Sequence, residues 1–509
     1  MEAHRAAVAK IAARVRHFYD RKEPFRIFHG STNSTRQTVL PRTSFVDTSS
    51  LGHVLQVDVA KRTALVEPNV PMDRLVAATL KHGLVPPVVM EFPGITVGGG
   101  FSGTSGESSS FKYGFFNKTI NSVEMVLANG DVITASNEQH PDLFHAAAGA
   151  VGTFGVTTLV ELQLKKAHRY VETTYHPVSS IEEAVSTVHN MTKEPGVDYV
   201  DGIIYSKTQG VIVSGKLTDE PTPGTRVQRF SRPWDPWFYL HVQDQIRKTP
   251  SVPITEAIPI AEYLFRYDRG GFWVGASAFK YMHFPFNRVT RWFLDDFLHT
   301  RMLYRALHAS GKAISYVVQD LALPYRSAAE FINFTDSTLS IYPLWLCPLK
   351  QDRLPTFHPH SPETEASGEL KQMLNIGVWG YGPKNHEKYI EANRDLEHEL
   401  RRLGGMKWFY AQTYYSEDEF WEMYDKKWYE NLRKKYNATH LPSVYQKVRV
   451  DVEKERKEVA TSWKLKGLRI WPLAGAWGIW KSILSGDWKI PKQLKYSKLE
   501  VGSEESTKA

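Results

Sequence analysis

The residues best suited to chemistry in this sequence form one stretch, Pro93–Ser110, that is dense in glycine, serine and threonine and closes with Phe111-Lys112-Tyr113-Gly114. Glycine lets a backbone approach a ligand closely and adopt positive φ. Serine and threonine add short donors without bulk. Backbone N–H groups in such a segment can form an anion-binding concavity around a pyrophosphate. The stretch matches neither the Walker pattern, because no Gly-Lys-Ser/Thr closes it, nor the spaced Rossmann fingerprint.

Strands and short helices alternate around this stretch and must position it. Val54–Val59 and Ala64–Pro68 are predicted to pair, and a helix with period-3.6 apolar residues follows Pro71. Asn129-Gly130 is the strongest hairpin signal in the chain. A second glycine-rich run, Gly149–Val156, leads into another predicted strand.

The amino-acid composition changes near Ala167–Pro177, and long stretches rich in aromatic residues follow. Buried strands are predicted at Ile341–Cys347 and Asn375–Trp379, and one amphipathic helix at Ser416–Tyr429. Val317-Val318 is interpreted as a strand that ends at Gln319 and Asp320. The predicted division is a basic N-terminal helix (1–24), a ligand-binding domain (25–169), a second domain (170–447) and a C-terminal tail (448–509).

Composition limits the function classes. The chain has 509 residues, a net charge of +8 and a single cysteine, Cys347, so neither an intrachain disulfide nor a cysteine-rich metal site can form. Basic residues are spread along the chain and no nucleic-acid motif appears, so nucleic-acid binding is not predicted. No metal site is predicted either. No run of about 18 apolar residues is present, so no membrane-spanning helix is expected.

The tail carries the feature closest to a membrane signal. Ile470–Trp480 is almost wholly apolar, contains three tryptophans and has lysine and arginine on both sides. Eleven residues cannot span a bilayer as a helix, but tryptophan with cationic flanks suits the membrane interface. Docking of the tail on the protein is the alternative.

Several motifs in order resemble one family. They are Thr96-Val97-Gly98-Gly99, Glu107-Ser108-Ser109-Ser110-Phe111-Lys112-Tyr113-Gly114, Val126-Leu127-Ala128-Asn129-Gly130, Val317-Val318-Gln319-Asp320, Tyr342–Pro348 and Glu419–Tyr424. Together they resemble the Δ24-sterol reductase family, within the flavoproteins that have a vanillyl-alcohol-oxidase type of FAD domain. The resemblance covers roughly residues 15–445.

The resemblance implies an α+β fold in which a two-subdomain PCMH-type FAD-binding domain precedes an α+β substrate (cap) domain. It implies non-covalent FAD. The implied cofactor-binding residues are Gly30, Ser31, Thr32, Asn33, Thr96, Val97, Gly98, Gly99, Gly100, Gly103, Thr104, Ser105, Gly106, Glu107, Ser108, Ser109, Tyr113, Gly152, Gly155 and Val156. A solvent turn is the alternative for residues 30–35.

The implied reaction is reduction of the C24=C25 bond of a sterol side chain with NADPH as co-substrate. An isolated alkene has no carbonyl to polarise, so an acid must supply a proton in an otherwise apolar site. The candidates are Glu107, Lys112, Tyr113 and Asp320. Three of them have alternatives: Glu107 could hold the cofactor, Lys112 could pair with a phosphate, and Asp320 could cap a strand.

Two other functions stay open at this point. One is an FAD-linked oxidase or dehydrogenase of an alcohol, lactone or terpenoid, and the other is a flavin- and sterol-binding protein without catalysis. The family resemblance places the start of this chain near the soluble part of the animal enzymes, so the tail is expected to provide peripheral membrane contact. The expected location is the cytoplasmic side of the endoplasmic reticulum membrane, with the cytoplasm as the alternative.

Overall fold

Two large sheets, one of five strands and one of nine, organise the chain. The structure is a computed structural model and describes residues 1–30, 42–311, 315–461 and 471–502. The strands are β1 (Arg26–Phe28), β2 (Phe45–Asp47), β3 (Val54–Asp58), β4 (Thr63–Val66), β5 (Leu84–Val85), β6 (Ile120–Leu127), β7 (Val132–Ser136), β8 (Gly155–Gln163), β9 (Lys165–Lys166), β10 (Tyr170–Val178), β11 (Tyr199–Ser206), β12 (Gln209–Thr218), β13 (Arg226–Val227), β14 (Ile254–Pro259), β15 (Tyr316–Pro324), β16 (Leu344–Leu349), β17 (Met373–Tyr381) and β18 (Met406–Lys407).

Helices cover both sheets. They are α1 (Glu2–Asp20), α2 (Met72–Leu80), α3 (Val97–Ser102), α4 (Ser110–Tyr113), α5 (Pro141–Ala147), α6 (Ile181–Met191), α7 (Phe238–Lys248), α8 (Ile260–Leu264), α9 (Val274–Met282), α10 (Arg288–Phe293), α11 (Thr300–Ala309), α12 (Tyr325–Thr338), α13 (His386–Arg402), α14 (Glu417–Met423), α15 (Lys426–Lys435), α16 (Val444–Val448), α17 (Val452–Thr461), α18 (Leu473–Ser485) and α19 (Ile490–Leu494).

The five-stranded sheet has the order β3-β4-β8-β6-β7, and every neighbouring pair is antiparallel. The predicted hairpin is present between β6 and β7, where Gly130 has φ +89°. Helix α1 packs on this sheet through an apolar face, with Val8, Ile11, Val15 and Phe18 buried. His4 Nδ1 lies 2.9 Å from Glu67 Oε1 at that contact.

The nine-stranded sheet has the order β13-β14-β10-β12-β11-β16-β17-β15-β18. Helices α6, α12 and α13 cover one face with a separate apolar cluster, and the other face joins the large core shared with the first sheet. Burial on both faces explains why β15 and β16 consist entirely of buried residues. The mixture of helices with two antiparallel-rich sheets is the α+β fold predicted from the sequence.

Two local predictions differ from the structure. β15 does not end at Asp320 but runs on to Pro324, because β17 and β18 pair with it on both sides. Gln319 and Asp320 are therefore buried in mid-strand. The helix predicted over Ser416–Tyr429 is two helices, since the Asp425 side chain accepts from the Trp428 N–H at 2.8 Å and starts a new one.

The described residues bear on three further expectations. Cys347 is buried and unpaired. None of the described helices combines the length and apolar composition needed to cross a bilayer. No group of three or more potential metal ligands occurs among the described side chains.

Candidate active site

The glycine-rich stretch folds into the short helix α3 followed by an extended loop. Thr96 caps α3 by accepting the Gly99 N–H at 3.2 Å. A methyl group on Gly98 would lie 2.5 Å from Pro68 Cβ, and one on Gly100 would lie 2.5 Å from Met90 Cε. These two glycines are required because the helix packs against its neighbours with no room for a side chain, and Val97 is fully buried beneath it.

The loop after α3 presents unused polar groups. No acceptor for the backbone N–H groups of Thr104, Ser105 and Gly106 lies within the described part of the chain. The buried Thr104 hydroxyl likewise has no partner there. Buried donors are almost always paired in native proteins, and the Thr104 hydroxyl is such a donor. This hydroxyl and the three consecutive N–H groups beside it fit a bound ligand with oxygen acceptors, as a pyrophosphate or flavin supplies.

The second glycine-rich run closes over the first. The Gly149 N–H donates to Phe101 O at 3.0 Å and the Val151 N–H to Ser102 O at 2.7 Å. Gly149 and Gly152 have φ values of +77° and +71°, which favour glycine. Gly155 has no space for a Cβ beside Val126 O, and Val156 pairs with Val126 in the sheet. We name the two runs, Thr96–Gly106 and Gly149–Gly155, the glycine cradle.

The first predicted contact loop lies mostly outside the described residues. Gly30 has φ +77°, and a methyl group on it would meet no described atom within 4 Å. Ser31, Thr32 and Asn33 lie outside the part of the chain that the structure describes. Farther on, the hydroxyls of Ser108 and Ser109 donate within the protein, to Glu91 Oε1 at 2.8 Å and to Pro87 O at 2.9 Å.

The connection between β16 and β17, residues 350–372, crosses back onto the glycine cradle. Asn117 Nδ2 donates to Asp352 Oδ2 at 2.8 Å, and His145 Nε2 lies 2.8 Å from Pro355 O. The His358 ring lies 4.6 Å from the Phe115 ring. The nine-stranded sheet therefore contributes directly to the wall of the cradle.

A buried charge cluster joins Glu91, in the loop before the glycine-rich stretch, to the nine-stranded sheet. Arg266 Nη2 lies 2.9 Å from both Glu91 Oε1 and Asp201 Oδ2. Tyr267 and Trp345 also donate to Asp201 Oδ2, at 2.6 and 3.1 Å. Burial raises the pKa of Glu91 to about 7, although the Arg266 charge opposes the shift. One guanidinium thus serves two buried carboxylates.

Glu107 stands at the end of the loop, next to this cluster. Its side chain is half-buried, whereas Ser108, Ser109 and Ser110 after it are buried. Burial, followed by the charges of Glu91 and Asp320, raises the pKa of Glu107 well above its usual range. A carboxyl in this position keeps its proton to higher pH than an ordinary glutamate does.

Asp320 approaches the same region from β15. Its Oδ1 accepts from Asn375 Nδ2 at 2.9 Å, and its Oδ2 accepts from the Tyr410 hydroxyl. Burial raises the pKa of Asp320 to about 6, and the two hydrogen bonds limit the rise. A methyl group on Gly377 would lie 2.9 Å from Asp320 Oδ1, so only glycine leaves room for this carboxylate above β17.

Aromatic rings pack together near Asp320. Phe272 lies 4.5 Å from Trp379 and 5.5 Å from Trp345, centroid to centroid, and Phe92 lies 5.5 Å from Tyr304. Phe92 also contacts Phe272 at 5.3 Å. We name these five residues, Phe92, Phe272, Tyr304, Trp345 and Trp379, the aromatic wall. An apolar, flat-sided surface of this kind suits a hydrocarbon chain.

The other two predicted acids lie in a separate cluster. Lys112 Nζ pairs with Asp198 Oδ1 at 2.8 Å, and Lys165 Nζ donates to the Tyr113 hydroxyl at 3.4 Å. Burial lowers the pKa of Lys165 to about 8. The structure therefore brings Glu107 and Asp320 into electrostatic contact and holds Lys112 and Tyr113 together elsewhere.

Several residues of this site were not found from the sequence: Glu91, Asp201, Arg266, His358 and Tyr410. None belongs to a motif, and their partners are distant in sequence, such as Glu91 and Arg266. The one sequence signal for Arg266 is that a charged residue stands inside an apolar stretch.

The fold and the glycine cradle define an FAD-binding protein, and a family model described as "FAD binding domain" matches residues 5–136. The chain is also 30% identical over 446 residues to a Delta(24)-sterol reductase of Arabidopsis thaliana, which covers 81% of this chain and 78% of the relative. The human Delta(24)-sterol reductase is 29% identical over 411 residues, 78% and 76% of the two chains. The Caenorhabditis elegans "Delta(24)-sterol reductase homolog dhcr-24" is 28% identical over 422 residues, 79% and 78%. The chain therefore belongs to the Delta(24)-sterol reductase family.

Proposed function

We propose that this protein reduces the C24=C25 double bond of a sterol side chain, with FAD as non-covalent cofactor and NADPH as electron donor. The observation that carries the proposal is the row of free N–H groups at Thr104–Gly106, which ends at a carboxyl of raised pKa, Glu107. The charge of Asp320 helps to raise the pKa of Glu107, and Asp320 adjoins the aromatic wall. The sterol reductase activity for which the relatives are named supports the substrate class.

The glycine cradle would hold FAD. The N–H groups of Thr104, Ser105 and Gly106 and the Thr104 hydroxyl are its free donors, and Gly30, Ser31, Thr32 and Asn33 with Gly152–Val156 are proposed further contacts. When bound, FAD supplies the hydride chemistry that amino-acid side chains lack. The chain itself must bind, orient and shield the reacting carbons and deliver one proton.

Glu107 is the proposed proton donor. Reduction of the alkene adds one hydride and one proton, and a carbon atom accepts the proton only from a well-placed acid. The carboxyl of Glu107 keeps its proton to higher pH than an ordinary glutamate because burial and the neighbouring carboxylates disfavour its charge. Both carboxylate oxygens of Asp320 already accept hydrogen bonds. We therefore assign Asp320 the role of orienting Tyr410 and Asn375.

Anaerobic mixing of the purified holoprotein with NADPH, then with a Δ24 sterol, tests the proposal. We expect the flavin absorption band to bleach with NADPH and to recover with the sterol, and mass spectrometry to find a product heavier by two hydrogens. Retention of the band with NADPH but bleaching by an alcohol or lactone would instead identify an oxidase or dehydrogenase. Sterol binding without turnover would identify a binding protein.

We also propose peripheral contact with the cytoplasmic face of the endoplasmic reticulum membrane through α18. This helix packs on α11 by a stripe of small residues, Ala474, Gly478 and Ser482, and the Ser482 hydroxyl donates to Met302 O at 2.9 Å. Docking turns large apolar side chains outward: Trp471, Leu473, Ile479, Trp480, Ile483 and Leu484 are exposed. Lys481 lies over Trp477 and Trp480 at 5.0 and 5.3 Å. Docking and membrane contact are therefore compatible.

Flotation with phosphatidylcholine vesicles, with and without phosphatidylserine, tests the membrane proposal. Deletion of the tail is unsuitable because Tyr496 is buried on Phe265 at 5.1 Å and the Gly502 N–H donates to Leu80 O. We therefore choose the variant Leu473→Ser/Trp480→Ser/Leu484→Ser, with Val132→Ser/Val227→Ser as the control for exposed apolar residues elsewhere. Wild type and control should float and the triple variant should not. Equal flotation of all three would refute the proposal.

A further inference from the structure

His358 is the one imidazole that reaches the glycine cradle from the nine-stranded sheet, within the part of the chain that the structure describes. It is 1% exposed and belongs to the crossing connection 350–372. A methyl group on Gly149 would lie 3.3 Å from His358 Cε1 and 3.2 Å from Thr104 Cγ2. The imidazole and the Thr104 side chain therefore flank the same backbone position of the cradle.

Thr356 is the hydrogen-bond partner of one ring nitrogen of His358. The Thr356 hydroxyl lies 3.1 Å from His358 Nδ1, and the same Thr356 oxygen accepts the His358 backbone N–H at 3.2 Å. That oxygen keeps one proton and a second lone pair, so it can either donate to Nδ1 or accept from Nδ1–H. We assign the tautomer in which Thr356 donates, and the neutral ring then carries its hydrogen on Nε2.

The Nε2–H donor has no partner. Nε2 is buried and has no acceptor among the described residues, as is true of the Thr104 hydroxyl. Burial lowers the pKa of His358 to about 4, so the ring is neutral and cannot compensate by charge. A buried donor left without an acceptor costs about 1–3 kcal/mol. Two such groups beside one glycine require a common explanation.

We propose that His358 is a cofactor-binding residue that donates its Nε2–H to an oxygen of FAD, side by side with Thr104. This inference rests on the assignment of the cradle to FAD and goes beyond it. The cofactor is then held by donors of both sheets, and Thr356 positions the imidazole. Phe115, stacked at a tilt on the other side of the ring, keeps the imidazole from rotating away.

Reconstitution of apoprotein with FAD, followed by flavin fluorescence, tests the proposal without turnover. His358→Leu should raise the dissociation constant of FAD at least tenfold, because it removes the donor at similar volume. His358→Gln keeps an N–H donor and should stay within about threefold of wild type. Thr356→Val should lie between them, since the ring loses its fixed tautomer.

Stability of the apoprotein separates binding from folding. His358→Leu should leave the apoprotein thermal midpoint unchanged or higher, because an unpaired buried polar group is replaced by an apolar one. The control is His176→Leu, in which a half-buried imidazole loses its bond to the Ser214 hydroxyl at 2.9 Å. The control should bind FAD as wild type does.

Equal FAD affinity of His358→Leu and wild type would overturn the proposal, and so would a loss of affinity in His358→Leu that is matched by a loss of apoprotein stability. Failure of wild type itself to bind FAD would overturn the assignment of the cradle, which is a different outcome. The wild-type reconstitution therefore distinguishes the two failures.

Discussion

Arg266 and Glu91 form a buried ion pair, Nη2 to Oε1 at 2.9 Å, and Arg266 also binds Asp201 of the nine-stranded sheet, which connects that sheet to the loop before the glycine-rich stretch. Glu91 in turn accepts the Ser108 hydroxyl, and Ser108 follows Glu107 directly. The position of the proposed acid is thus fixed from the second sheet. Charges buried this completely persist only when they are paired and hydrogen-bonded.

Replacement of Arg266 should destabilise the folded protein. Arg266→Met leaves Glu91 and Asp201 without their shared cation, and removal of one partner of a buried pair typically costs about 3–5 kcal/mol. Urea denaturation should therefore show a lower free energy of unfolding. Arg402→Met, which removes an exposed partner of Glu330 and Glu399, is the control and should leave the midpoint unchanged. Equal midpoints for both variants would show that the cluster contributes nothing.

Glu107→Gln should slow proton delivery without affecting cofactor binding. General acid catalysis typically contributes about 10²–10⁴ in rate, so sterol reduction should fall by that order. Bleaching by NADPH and the FAD dissociation constant should stay within about threefold. Stopped-flow measurement of the two half-reactions separates these quantities, with Glu161→Gln on β8 as the control. Wild-type sterol turnover in Glu107→Gln would show that another residue donates the proton.

The pH dependence of sterol turnover follows from the same pKa. Because the pKa of Glu107 is raised well above its usual range, the acid keeps its proton at pH values where an ordinary glutamate has lost it. Turnover should fall only as the pH rises through that raised value. A fall with rising pH between about 4 and 5, where an ordinary glutamate titrates, would contradict this.

Thr104→Val should weaken FAD binding without weakening the fold. The hydroxyl is buried and has no partner among the described residues, so its removal at constant shape should be neutral for the apoprotein. In the holoprotein the lost hydrogen bond should raise the FAD dissociation constant about three- to tenfold, since such a bond is worth about 0.5–1.5 kcal/mol. Titration of the apoprotein measures this. A drop in apoprotein stability would assign the hydroxyl a structural role instead.

Stability should decrease as the pH rises above neutral because of His299. Its Nδ1 lies 2.6 Å from Asp268 Oδ2, and although burial opposes the charge, Asp268 and Asp295 raise the pKa of His299 to about 9. A folded-state pKa above the unfolded value of about 6.5 means that this stabilisation is complete below pH 6.5 and is lost as the pH rises to 9. The loss is roughly 3 kcal/mol by that shift.

Urea unfolding of wild type and His299→Gln at pH 6, 7.5 and 9 measures the effect. The wild-type free energy of unfolding should fall over this range more steeply than that of the variant, which has no titrating imidazole there. Parallel curves would exclude His299 as the source.

Local sequence signals predict the elements near the glycine cradle well. The apolar spacing of α1, the Asn129-Gly130 turn and the glycine pattern act over a few residues, and the structure contains all three features. The strand over Val317–Asp320 is predicted too short because its continuation depends on pairing with β17 and β18, which are distant in sequence. The roles of Arg266 and His358 arise from contacts across the two sheets, which no short window of sequence contains.

The row of unpaired donors in the glycine cradle has a consequence for the amount of protein in a cell. A ligand that binds only the folded chain adds stability by mass action, about 2.7 kcal/mol at one hundred times its dissociation constant. The amount of folded protein should therefore be higher when riboflavin, the vitamin from which flavins are made, is abundant. Substitutions far from the cradle that cost one or two kcal/mol should be tolerated in riboflavin-rich medium and lead to degradation when riboflavin is scarce.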